Sequence, residues 1–279
     1  MDTELTRDFI KLCTDGYAQG WHERNGGNLS CRLTGQEVEE ARPFFRADTR
    51  WQEIGAEVPG LAGEFFMVTG SGKFMRNVGL DPEDSSGIIE LDGEGKRYRI
   101  VWGLNDGGKP TSELPSHLLN LEVLKQRDPE IRVVYHAHPA NTVALTFVLP
   151  LDDDVFTREI WEMETECPVV FPAGIGLVEW MVPGGREIGL RTAEIMKTRD
   201  VAVWAHHGMF CCGRSFDEAF GLMHTVEKAA EILVKVMSMT DRKRNTIAPD
   251  GFRALQEPFG IRLDERYLYE KKSGVIGEK

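Results

Sequence analysis

The sequence predicts a layered α/β domain with a mixed sheet, and three observations carry that expectation. Two long segments repeat apolar residues at helical spacing, several short ones alternate or run apolar, and the two kinds interleave without a strict βα repeat. The first twenty residues read as an amphipathic helix with Leu5, Phe9, Leu12 and Gly16/Tyr17 near helical spacing, stopping at Gly20. Segments 28–33 and 64–68 read as strands, separated by an irregular, charged excursion over 33–63 that is long for a compact domain. Segments 87–91 and 97–102 form a hairpin around Asp92-Gly93-Glu94-Gly95. A helix starts near 111–115, with Leu114, Leu118, Leu121 and Leu124 on one face and Pro115 tolerated in its first turn. Strands follow at 131–136 and 201–205, the second running into His206-His207-Gly208. The last strong helix is Phe216–Met239, with Ser215 and Glu218 spaced as a capping box and a buried stripe of Phe220, Met223, Val226, Ala230, Leu233 and Met237. No repeat, linker or break in composition divides residues 1–279, which read as one domain with a weakly patterned tail over 241–279.

Charge narrows the partners. Lys and Arg number 33 against 45 Asp and Glu, a net of −12, which argues against nonspecific binding to nucleic acid or anionic membranes. The most apolar run, 142–151, is far shorter than the roughly 18 residues of a membrane span. Met1-Asp2-Thr3-Glu4 lacks the basic-then-apolar plan of a signal peptide, and five cysteines without a C-x-x-C suit a reducing compartment. A cytoplasmic protein is expected. An anionic substrate would have to be attracted by groups placed locally.

Seven histidines are present, and their placement is informative. His136 and His138 form H-x-H at the end of an apolar strand, where a side-chain period of two points both rings to one side. That suits two cis ligands of a tetrahedral, zinc-like ion. His207 ends a second apolar strand and precedes Gly208, so it is a natural third ligand. Its neighbour His206 competes, and spacing alone does not choose between them. His117 lies one helical turn after Glu113, while His22 and His224 have no ligand-type companions; for these three a structural role is expected. A three-histidine site leaves coordination positions open and needs a proton-transfer group beside it. Glu113, in Thr111-Ser112-Glu113-Leu114-Pro115, is the candidate, although a carboxylate at a helix start also has a capping explanation, as do Thr111 and Ser112. Asn25-Gly26-Gly27-Asn28 and Thr69-Gly70-Ser71-Gly72-Lys73 are glycine-rich strings beside strands, able to offer backbone N–H groups, hydroxyls and amides to an oxyanion. Neither has the spacing of a P-loop.

These strings, N-G-G-N, T-G-S-G-K, T-S-E-L-P-x-H, H-x-H and H-H-G, occur in the order seen in class II sugar-phosphate aldolases of the aldolase/adducin superfamily, and the sequence resembles that family from about Tyr17 to Met239. Gly20-Trp21-x-Glu23-Arg24, Trp161, Thr165-Glu166-Cys167, Phe171-Pro172-x-Gly174 and Trp180-Met181-Val182-Pro183-Gly184 extend the match within one of its subfamilies. The resemblance implies an α/β/α domain with a largely antiparallel central sheet, assembled as a cytoplasmic homotetramer with active sites at subunit boundaries. It implies one zinc ion per subunit on His136, His138 and His207, with Glu113 as the acid/base carboxylate. Asn25, Asn28, Ser71, Gly72, Thr111 and Ser112 would surround the substrate phosphate, and Glu166 would reach a neighbouring subunit's site. The implied reaction is reversible retro-aldol cleavage of a ketose 1-phosphate to dihydroxyacetone phosphate and an aldehyde. Lys73 is then a phosphate or structural residue, because no Schiff base is needed. His206 stands where the family has an apolar aromatic, and the tail has no clear counterpart. Related readings are an L-fuculose-phosphate aldolase, a pentulose-phosphate 4-epimerase and a noncatalytic adducin-like module; the last would lack the metal histidines or the glutamate, all of which are present.

Overall fold

The computed structural model describes residues 1–279 apart from Asp48 and Lys272, which fall in the excursion and the tail. In chain order the elements are α1 (Glu4–Ala18), β1 (Asn28–Arg32), α2 (Gly35–Ala41), β2 (Gln52–Glu53), β3 (Phe65–Thr69), α3 (Pro82–Ser85), β4 (Ser86–Leu91) and β5 (Arg97–Gly103). They continue as α4 (Leu114–Arg127), β6 (Val133–Ala137), α5 (Ala140–Leu145), α6 (Asp153–Trp161), α7 (Cys167–Val170), β7 (Ile175–Val178) and α8 (Arg186–Met196). The chain closes with β8 (Val201–Trp204), β9 (Gly208–Gly213), α9 (Phe216–Met239) and α10 (Pro249–Phe259).

The nine strands among the described residues join one sheet in the order β2-β5-β4-β3-β1-β6-β9-β8-β7. Every pairing is antiparallel except β7 with β8, whose parallel register is bridged by the crossover helix α8. Strand alternation splits the core into two layers. On β6, Val133, Tyr135 and Ala137 face a cluster built with α1, α6, α9 and α10, while Val134 faces a second cluster built with α4 and α8. The layered, largely antiparallel α/β/α expectation is met.

Local chemistry accounts for the ends of the elements. Thr3 caps α1 by accepting the Thr6 N–H, and Leu5, Phe9 and Leu12 bury its apolar stripe. The excursion is ordered by a full capping box, Thr34 with Glu37, that starts α2, and by Ile54, Val58 and Leu61, buried in the α4 layer. At α9 the expected box is half formed: Ser215 accepts the Glu218 N–H at 3.1 Å, but the Glu218 carboxylate takes the N–H of Arg214. Met223, Val226, Ala230 and Leu233 are buried as expected, whereas Phe220 and Met237 are half-buried at the margin of the core. The tail is more structured than its pattern suggests. It carries α10 and buries Phe252, Leu263, Tyr267 and Leu268. Lys243 and Lys271 reach Glu159 and Glu162 on and just after α6, and Arg158 bonds Glu162 at 2.7 Å.

Candidate active site

Antiparallel pairing brings the motifs to one end of the sheet. Asn28 opens β1 opposite His136 near the end of β6, and β9 begins beside that same end, with His136 opposite Phe210. β3 ends at Thr69 next to the start of β1, where its hydroxyl accepts the Leu29 N–H at 3.2 Å. The segment before α4 runs along the loop that follows β3: Ser71 N–H donates to the Lys109 carbonyl and Thr111 N–H to Thr69. That contact delivers Glu113 to the histidines.

His136, His138 and His207 each offer a ligand atom, all within 4.8 Å of one another. His136 Nδ1 donates to the Met209 carbonyl at 3.1 Å and His138 Nδ1 to the Glu23 carboxylate at 2.8 Å. Each bond fixes a tautomer whose Nε2 carries a lone pair. Among the described residues neither buried Nε2 atom has a hydrogen-bond partner, which is the donor set a divalent cation needs. Burial and the neighbouring imidazoles hold His136 well below the ordinary histidine pKa, and the same causes put His207 at about 4. Protons therefore do not compete with a metal ion at His136 and His207 at neutral pH.

His206 and His207 lie in the tight connection from β8 to β9 rather than on a strand. His206 adopts a left-handed backbone (φ 62°), is exposed, and turns its ring toward Phe147 (centroids 4.1 Å apart) and Thr146. His207 turns the other way, within 5.1 Å of both His136 and His138 ring to ring. Gly208 is required here by close approach, since a Cβ would lie 2.5 Å from the Ala137 carbonyl and 2.9 Å from the His136 ring. Gly27 (φ 75°) sits equally close to His22 and to the His136 carbonyl, so the N-G-G-N loop also wraps the histidines.

Glu113 is buried, and its carboxylate does not cap its own helix. Oε2 lies 3.5 Å from His136 Nε2 and accepts a hydrogen bond from Asn28 Nδ2 at 2.8 Å. Burial raises its pKa, only partly opposed by the Asn28 bond. Thr111 is buried and accepts the Glu113 N–H at 3.2 Å, positioning the residue. Asn25, Ser71, Gly72 and Ser112 are exposed around this end of the sheet, whereas the Asn28 amide is engaged by Glu113 and His117. Lys73 pairs with Asp106, a contact in keeping with a structural residue. Glu166 is exposed at the start of α7 and makes no hydrogen bond to these residues among those described. Glu23, which orients His138, stands in a matched string but carries no role there, and Phe210, stacked on His136 at 4.2 Å, has no sequence signal of its own. A carboxylate one residue from His22 gave no sign of its partner 115 positions away.

A largely antiparallel sheet covered by helices, with three histidines and a buried carboxylate gathered at one end, is the setting of the site, and the chain belongs to the class II aldolases: the description "Class II Aldolase and Adducin N-terminal domain" matches residues 7–234. Its relatives include the rhamnulose-1-phosphate aldolase of Mannheimia succiniciproducens, 50% identical over 92% of this chain and 94% of that one. The rhamnulose-1-phosphate aldolase of Klebsiella pneumoniae subsp. pneumoniae is 45% identical over 94% and 95%. Among solved structures, a sugar-phosphate aldolase from Thermotoga maritima superposes with a TM-score of 0.74 at 30% identity, covering 87% of this chain and 98% of that one.

Proposed function

We propose that the chain, acting as one catalytic domain, cleaves L-rhamnulose 1-phosphate reversibly to dihydroxyacetone phosphate and L-lactaldehyde. The observation that carries this reading is the meeting of three histidines with a buried carboxylate 3.5 Å from one of them, in a chain similar to rhamnulose-1-phosphate aldolases over nearly its whole length. His136, His138 and His207 would hold one zinc ion, which supplies Lewis-acid polarisation of the ketose carbonyl. Breaking C3–C4 leaves a carbanion at C3 of the three-carbon phosphate fragment. Glu113 protonates that carbon in cleavage and removes the same proton in synthesis; its raised pKa suits both directions.

Asn25, Ser71, Gly72, Thr111 and Ser112 surround the phosphate with amide, hydroxyl and backbone donors, and Asn28 lies at the inner edge of this set. The exposed Glu166 serves a neighbouring subunit, where it assists proton transfer at the aldehyde oxygen. Its exposure and lack of a partner within the described chain support that role. The assembly is then a cytoplasmic homotetramer with active sites at subunit boundaries. No described helix is long and apolar enough to cross a membrane. The test is aldehyde release from a panel of ketose 1-phosphates with bound zinc quantified. Preference for L-rhamnulose 1-phosphate is expected, and equal or faster cleavage of L-fuculose 1-phosphate overturns the substrate assignment.

A further inference from the structure

We propose that His117 is a positioning residue that, through Asn28, holds one oxygen of the Glu113 carboxylate and leaves the other free to exchange the substrate's proton. The inference rests on the reading of Glu113 as proton carrier. Glu113 and His117 stand one turn apart at the start of α4, while Asn28 and Ser30 stand on one face of β1. The four side chains interlock as two rungs between helix and strand. All are buried, Ser30 and His117 completely.

Donor and acceptor roles along this row are fixed by elimination. The Glu113 carboxylate only accepts, so the NH2 of Asn28 must face it, at 2.8 Å. Asn28 Oδ1 then faces His117 Nε2, which must carry the imidazole proton. His117 Nδ1 is left as acceptor and takes the Ser30 hydroxyl proton at 2.6 Å. Each group donates in the same direction, toward the carboxylate, an arrangement in which successive bonds polarise one another. Turning the Asn28 amide over would set its carbonyl against the carboxylate and its NH2 against the His117 N–H, so His117 selects the orientation. Burial pushes the His117 pKa to about 3, keeping the ring neutral as this pattern requires. The row ends on Oε2, the oxygen beside His136; among the described residues no hydrogen bond reaches Oε1. One carboxylate oxygen is thus clamped and one presented.

The test compares His117→Leu, Asn28→Ala and the double variant in the zinc-loaded enzyme. His117→Leu is expected to lower kcat and C3–H exchange on dihydroxyacetone phosphate about 10- to 100-fold, with KM and zinc content unchanged. If His117 acts through Asn28, the double variant is no slower than Asn28→Ala alone. Multiplying effects, or a kcat unchanged per zinc-bound subunit, overturn the assignment. Should His117→Leu fail to fold, Ser30→Ala carries the same test: a roughly two- to fivefold drop that vanishes in the Asn28→Ala background supports it, and no drop overturns it. Nitrogen NMR of the metal-free protein should find His117 protonated at Nε2; protonation at Nδ1 overturns the row. Glu113→Gln separates the two readings. An active Glu113→Gln enzyme removes the proton-carrier reading itself, whereas an inert one beside an unimpaired His117→Leu removes only the positioning role.

Discussion

Two buried glutamates in this protein are treated in opposite ways. Glu113 at the sheet end bonds an asparagine amide beside an imidazole and, among the described residues, pairs with no lysine or arginine, so burial prevails and its pKa rises. Glu162, just after α6, is buried as deeply, yet Lys243, Lys271 and Arg158 outweigh the burial and bring its pKa down. The lesson is that environment, not depth, assigns the work. A carboxylate left with neutral partners keeps a proton-transfer range, while one ringed by cations becomes a permanently charged anchor for the tail.

The contrast is breakable in order of effect. Stripping metal with a chelator should abolish cleavage and zinc should restore it, because two ring nitrogens in the sheet-end site are buried with no partner among the described residues. Activity that resists chelation, measured with residual zinc quantified, sinks the metal reading. Glu113→Gln should slow C3–H exchange by about 10²–10⁴-fold while zinc stays bound, since only the proton carrier is lost. Glu162→Gln should act on stability instead. It leaves Lys243 and Lys271 paired with Glu159 and removes the carboxylate partner of Arg158 among the described residues, a loss of about 3–5 kcal/mol readable as a lowered denaturant midpoint. Zinc per folded subunit should not change.

Acid should separate the two regions further. Burial holds His22 near pKa 4 and His117 near 3, so each contributes stability that is fully present above the unfolded value of about 6.5. Below that pH the unfolded state binds more protons, and stability falls by up to about 1.4 kcal/mol per pH unit per histidine as the pH drops toward 4. The pKa of Glu162 is lowered, so its cluster holds until the pH passes below the unfolded glutamate value of about 4.5 and then fails. Denaturant midpoints taken from pH 7 to pH 5 should therefore decline because of the histidines, with the raised pKa of Glu113 opposing the trend. His22→Phe should flatten that decline; an unchanged slope would reject the assignment.

What was readable in the sequence tracks how one-sided each element is. The first helix and the long helix Phe216–Met239 show strong apolar patterning because each faces core on one side and solvent on the other, whereas the 87–102 hairpin is legible from its turn residues, since β4 is buried on both faces. β9 escaped notice because both of its faces are buried, which erases alternation. The buried stripe of α8 has large apolar residues only at its ends, Ile188 and Met196, with Gly189, Thr192 and Ala193 between them, which weakens the apolar signal. The tail is held partly by buried charge, so its composition looked like surface. At the site, residue type and order were enough to name His136, His138, His207 and Glu113 as candidates. They were not enough to see His117 as anything but a structural histidine.

The sequence by itself determined the inventory: an acidic chain, histidines and a glutamate of ligand and acid/base type, and glycines where backbone must pass close to other atoms. Periodicity determined which segments become strands and helices, because burial of one face is encoded locally. Only the tertiary structure decided which groups meet. Antiparallel pairing set Asn28 beside His136, 108 positions apart in number but neighbours in the sheet, and a left-handed residue at 206 turned one of two adjacent histidines inward and the other out. Those choices are made by register and backbone handedness, which join distant residues and are not written in either one alone.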